Sequence, residues 1–119
     1  MVWCLRRSYR IRNLILLFLL MTWLPLSPAV AQGDRELTRR GEELVVKNCS
    51  RCHAVGRTGT SPHPKAPVFR TLGRRYNIEN FAEGLVEGFS TGHPDMPEFI
   101  FEVDEAVAII AYLKSIQER

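Results

Sequence analysis

Five consecutive residues, Cys49, Ser50, Arg51, Cys52 and His53, carry the most specific chemistry in the chain. Two thiols three positions apart sit about one helical turn from each other, roughly 5 Å. At that separation both can add to the two vinyl groups on one edge of a porphyrin. A histidine directly after the second thiol is carried under the ring, where an imidazole nitrogen can bind the iron axially. Together they read as the attachment site of a c-type haem, with Cys49 and Cys52 as covalent anchors and His53 as an axial iron ligand. A thioredoxin-like redox pair and half of a zinc site are the alternatives. The first needs a preceding strand, and none is expected before Cys49. The second needs another ligand pair, yet the remaining cysteine, Cys4, falls in a leader.

A second candidate ligand lies downstream in Thr91-Gly92-His93-Pro94-Asp95-Met96-Pro97. Prolines bracket Met96 there, so it has no helix face on which to serve as core filler. Its thioether is a soft ligand that suits haem iron opposite an imidazole and favours the reduced state. Met96 is therefore the expected second axial ligand, and His63 and His93 compete for that position. Between the two sites, the Pro67 carbonyl is placed to accept a hydrogen bond from the other ring nitrogen of His53, fixing the ligand from behind. Pro67 could otherwise simply open the next short helix.

The start of the chain sets the compartment. Arg6, Arg7, Arg10 and Arg12 precede an apolar run, Leu14 to Leu24, then Pro25 to Pro28 and Ala29-Val30-Ala31. This order reads as a secretory signal peptide, residues 1–31, cleaved after Ala31. The run is shorter than the ~20 residues of a spanning helix, which argues against a retained anchor. Arg6-Arg7 also fits twin-arginine export, but haem attachment is expected on a chain exported unfolded. The formal charge of +3 belongs to the precursor. Losing those four arginines from sixteen basic residues leaves twelve against thirteen acidic ones, a mature charge of −1. That balance excludes a basic nucleic-acid binder.

The remaining residues, 32–119, make one small domain, marginal without a staple that a covalent haem would supply. The elements follow from pattern. Asp34 is a candidate cap for a helix reaching Asn48, with Leu37, Gly41, Leu44 and Val45 on one face. Gly41 costs ~1 kcal/mol in a helix interior unless another helix needs the room. Residues 54–67 are a wrapping loop rich in Gly, Pro, Ser and Thr. A single turn over Val68–Leu72 is expected to stop at Gly73. Asn77 caps a helix from Ile78 to about Phe89, with Gly88 as its stop. Ala106, Ile109, Ile110, Leu113 and Ile116 form the strongest stripe, on a helix spanning Val103–Gln117. Tyr112 lies beside that stripe and is expected to pack over Gly41 where the terminal helices cross. Arg70, Arg74, Arg75 and Tyr76 offer partners for haem propionates. Lys47, Arg51, Arg57 and Lys65 are candidates to ring the exposed haem edge.

Gly41, the run Cys49 to His53, Ala66-Pro67-Val68-Phe69, the Gly92-to-Pro97 loop and Ala111-Tyr112-Leu113 occur in the order found in class I, mitochondrial-type cytochromes c. The chain resembles the small bacterial periplasmic monohaem kind over nearly all of residues 32–119. It departs at Val45, where the family often carries an aromatic residue, so a thinner helix contact is expected there. The resemblance implies an all-α fold of three to five short helices wrapped around one haem c, with the N- and C-terminal helices crossing. It also implies a monomer in the periplasm that is not an enzyme. Such a protein carries single electrons between transient partners, with a dehydrogenase or reductase as donor and an oxidase or another cytochrome as acceptor. Two other roles share the pattern: a dedicated subunit of a periplasmic dehydrogenase complex, and a haem sensor or enzyme with a labile Met96.

Overall fold

The computed structural model describes residues 29–88 and 94–118. The signal-peptide reading of residues 1–28, the first residues of the Met96 loop and His93 lie outside the described residues. Among the described residues three α-helices carry the fold: α1 over Ala29–Cys49, α2 over Phe81–Glu87 and α3 over Val103–Ser115. Two 3-10 helices, Phe69–Arg74 and Ile78–Asn80, connect α1 to α2. No strand occurs among the described residues, so the fold is all-α, as expected.

α1 and α3 form the main helix pair, and Gly41 is where they cross. A methyl group built at Gly41 would lie 1.9 Å from the Ala108 carbonyl oxygen and 2.9 Å from Tyr112 Cβ. The absent side chain thus lets the α3 backbone itself approach α1. The expected neighbour, Tyr112, is present, but Ala108 makes the closest approach. Val45, one turn on, is only 1 % exposed. The contact there is therefore not thinned: a small branched side chain fills it completely, a burial worth about 2 kcal/mol. All five residues of the α3 stripe are buried, and Val45, Ile78, Phe101 and Tyr112 complete the core.

Tyr112 adds a polar tie to this packing. Its hydroxyl donates to the Val55 carbonyl at 3.0 Å, joining α3 to the loop after His53. Tyr112→Phe removes that bond and keeps the ring. It is expected to cost about 1 kcal/mol in denaturant unfolding, with the haem spectrum unchanged.

Helix boundaries depart from the sequence pattern at several places. Asp34 does not cap α1, which runs through it from Ala29; Ala29, Ala31 and Gln32 are good helix formers that extend the helix upstream. The turn after Val68 does not stop at Gly73 but continues to Arg74, with Arg75 closing it on the Leu72 carbonyl. The helix expected from Ile78 is divided into the 3-10 turn Ile78–Asn80 and α2, and α3 ends at Ser115 rather than Gln117, while the expected caps Asn77 and Gly88 are in place. The Asn77 side chain accepts from the Glu79 amide at 3.0 Å. Gly88 ends α2 at φ 111°, a conformation that favours glycine. α3 opens on a reciprocal capping box between Glu102 and Glu105.

The segment after α3 clasps the first 3-10 helix. Gln117 donates from Nε2 to the Phe69 carbonyl at 3.0 Å and accepts at Oε1 from the Gly73 amide at 2.7 Å. The Glu118 carboxylate takes Arg70 at 2.9 Å and Arg74 at 3.0 Å. These two arginines, candidates for haem propionates in the sequence, are turned toward Glu118 instead.

Candidate functional site

α1 ends on Cys49, and the chain keeps turning through His53. The amides of Cys52 and His53 both donate to the Cys49 carbonyl, at 3.2 and 3.0 Å. This one-turn continuation puts both cysteines and His53 on the wall of a single cleft of about 940 Å³. Pro67, Phe69, Met96 and Phe99 line the same cleft.

His53 is held from two sides. Its Nδ1 lies 2.8 Å from the Pro67 carbonyl oxygen, as the sequence suggested, so this nitrogen carries the proton and donates. Nε2 is left as the nitrogen with an available lone pair. The Phe69 ring lies against the imidazole, with centroids 4.6 Å apart and planes tilted by 39°. Phe69 is itself fixed at both backbone groups: its amide donates to the Ala54 carbonyl at 3.0 Å and its carbonyl accepts from Gln117.

Cys49 and Cys52 are free thiols. Burial pushes the Cys49 thiol up to about 11, with a smaller contribution from Cys52.

The far wall comes from residues 95–99. Met96 is partly buried on it, and Phe99 packs between the cleft and the core. His63, a competing ligand in the sequence, also lines the cleft. Its Nε2 is 3.6 Å from the Asp95 carboxylate, and its Nδ1 accepts from the Lys65 amide at 3.3 Å. Of the four basic residues expected around the cleft, only Arg51 and Lys65 line it. Arg57 reaches the Ser115 carbonyl instead, and Lys47 sits exposed on α1 away from the lining. Asn48, Pro62 and Phe99 were not singled out by sequence. Phe99 had a readable signal, since it alternates with exposed Ile100 and buried Phe101 beyond Pro97.

The residues present fit a tetrapyrrole. The cleft falls within the roughly 300–1,000 Å³ of small-molecule and cofactor sites. Its walls combine aromatic rings and prolines with two thiols one turn apart and an imidazole of fixed tautomer. An all-helical domain whose terminal helices cross beside such a cleft is a c-type cytochrome domain. Residues 36–113 match the family described as cytochrome c oxidase, cbb3-type, subunit III, and the chain belongs to that family. Its cofactor is a covalently bound haem c with its iron, and electron transfer among redox partners is the work of such a domain. The chain is also similar to cytochrome c oxidase subunit 2 of Alkalihalophilus pseudofirmus, with 29% identity over 108 residues. That match covers 77% of this chain but 29% of the relative, so the chain spans under a third of that protein's length. No solved structure matches. No helix among the described residues is long and apolar enough to cross a membrane.

Proposed function

We propose that this chain is an exported periplasmic electron carrier with a single haem. Residues 1–31 are its cleaved leader, and 32–119 the working domain. Cys49 and Cys52 anchor the haem, and His53 and Met96 hold its iron. The observation that carries the reading is the bond between His53 Nδ1 and the Pro67 carbonyl, which commits one imidazole nitrogen and leaves Nε2 for the iron. Bound in this cleft, the haem supplies a one-electron Fe(II)/Fe(III) couple.

The protein residues do the rest. Pro67 fixes the plane of the imidazole and makes it a stronger electron donor. Phe69 buttresses the ring, and the Gln117 clasp buttresses Phe69. Phe69 and Phe99 keep water from the cleft, which holds down the reorganisation that accompanies each change of charge. With His53 and Met96 both holding the iron, no open position would be left for a substrate, which makes the protein a carrier rather than an enzyme. An oxidase is the proposed electron acceptor, in keeping with the names of the matching family and relative. Those names also support a second reading, in which the chain is a fixed subunit of an oxidase rather than of a dehydrogenase; co-purification with that complex would favour it.

The test is the optical spectrum of the haem-loaded protein, oxidised and reduced, with and without carbon monoxide. A low-spin c-type spectrum indifferent to carbon monoxide is expected. Carbon monoxide binding to the native reduced protein would overturn the carrier reading in favour of a sensor or enzyme.

A further inference from the structure

Charge along this chain is divided in two. From Leu44 to Tyr76 there are Lys47, Arg51, Arg57, Lys65, Arg70, Arg74 and Arg75 and no acidic residue. From Asn77 to Leu113 there are Glu79, Glu83, Glu87, Asp95, Glu98, Glu102, Asp104 and Glu105 and no lysine or arginine. The first stretch contributes His53 to the cleft and the second Met96, so the two lips of the cleft carry opposite charge.

The acidic half also holds three of the five exposed large apolar side chains among the described residues. Ile100 is 71 % exposed, Val103 65 % and Val107 49 %. Val103 and Val107 are one turn apart on the outer face of α3, and Ile100 lies just before that helix. Ile100 directly follows Phe99, so the patch begins where the Met96 wall of the cleft ends. Its surroundings stay negative. Glu98 rests in the space left by Gly88, beside Glu87. Arg40 reaches in from α1 to Asp104 at 2.8 Å and neutralises that one carboxylate, while Lys114 at the far end of α3 is taken by Glu79.

We infer that Ile100, Val103 and Val107, rimmed by Glu87, Glu98 and Glu102, form a docking face for a redox protein with an apolar centre and a lysine- or arginine-rich rim. An apolar centre inside a charged rim gives a short-lived contact: burial supplies the grip, and the rim supplies orientation and speed. An anionic membrane surface is disfavoured, because the rim repels it. The cleft's division of charge adds direction: a basic partner is drawn to the Met96 lip and turned away from the Arg51 and Lys65 lip. This deepens the carrier reading and rests on it.

The test uses haem-loaded protein and two redox proteins of opposite charge, basic mitochondrial cytochrome c and acidic plastocyanin. Affinity is read by titration calorimetry at low salt, and electron exchange by stopped flow. Glu87→Gln with Glu98→Gln is expected to weaken the basic probe roughly threefold and flatten its salt dependence. Ile100→Ser with Val103→Ser is expected to weaken it about fivefold with the salt dependence retained. Neither pair should weaken affinity for the acidic probe or alter the optical spectrum. Unchanged affinity of the basic probe in both pairs overturns the docking face, whatever the exchange rates do. Self-association of the parent protein that Ile100→Ser with Val103→Ser abolishes also overturns it, by making a second copy the occupant. The expected affinities without electron exchange would leave the face standing and overturn the carrier reading instead.

Discussion

Gly41→Ala is expected to destabilise the haem-loaded protein by about 3 kcal/mol, although alanine is the better helix former. The added methyl would meet the Ala108 carbonyl oxygen at 1.9 Å and its carbon at 2.6 Å. Both are backbone atoms inside α3, so no side-chain rotation relieves the contact. The helices must separate, and the packing around Val45 and Tyr112 loosens with them. The gain from helix propensity, ~1 kcal/mol, offsets only part of this. Gly33→Ala, in the same helix with nothing within 4 Å, is the control and should shift stability by less than about 1 kcal/mol. Denaturant unfolding of the two variants checks the result. Equal, small effects would mean that the helices do not cross where the structure has them.

Met96→Leu is expected to turn a protein indifferent to carbon monoxide into one that binds it fully in the reduced state. Leucine has nearly the volume and shape of methionine, so the wall formed by residues 95–99 should keep its packing, at a cost under about 1.5 kcal/mol. What leucine lacks is the sulfur lone pair. Without it one axial position is no longer held by the protein, and the reduction potential falls because the thioether no longer favours the reduced state. A carbon monoxide titration monitored optically, beside a redox titration, reads both. If the variant stays low-spin and unreactive, another residue supplies the ligand, and His63, which lines the same cleft, is the first to substitute next.

The legibility of this chain tracks the range of the interactions. α3 was readable because its stripe repeats at steps of three and four, and all five stripe residues are buried. The crossing at Gly41 was readable because a glycine inside a helix needs a reason, and within residues 32–119 the strongest apolar stripe available as a partner was that of α3. The bond from His53 to Pro67 was readable from the chemistry of an axial imidazole. The upstream reach of α1 was not, because Asp34 is a far better cap than interior residue, and the helix formers that precede it override that preference. The Arg70 and Arg74 pairing with Glu118 spans more than forty residues and leaves no periodic trace. The same holds for the Tyr112 hydroxyl on Val55 and for Arg57 on Ser115. Val45 shows a different limit: a side chain smaller than its counterparts in related proteins implied a gap, yet Gly41 brings the helices close enough to close it.

The clasp at Gln117 and Glu118 bears on the order in which this protein can be assembled. A chain emerges with α1 and the cysteine turn first, and residues 115–118 much later. Until those residues arrive, Phe69 is held only by Ala54, Tyr112 cannot reach Val55, and α1 has no α3 to cross. Cys49 packs against the core that α3 supplies, so its thiol lies uncovered until α3 arrives. With Cys49 as one of the proposed haem anchors, attachment would fall within that interval.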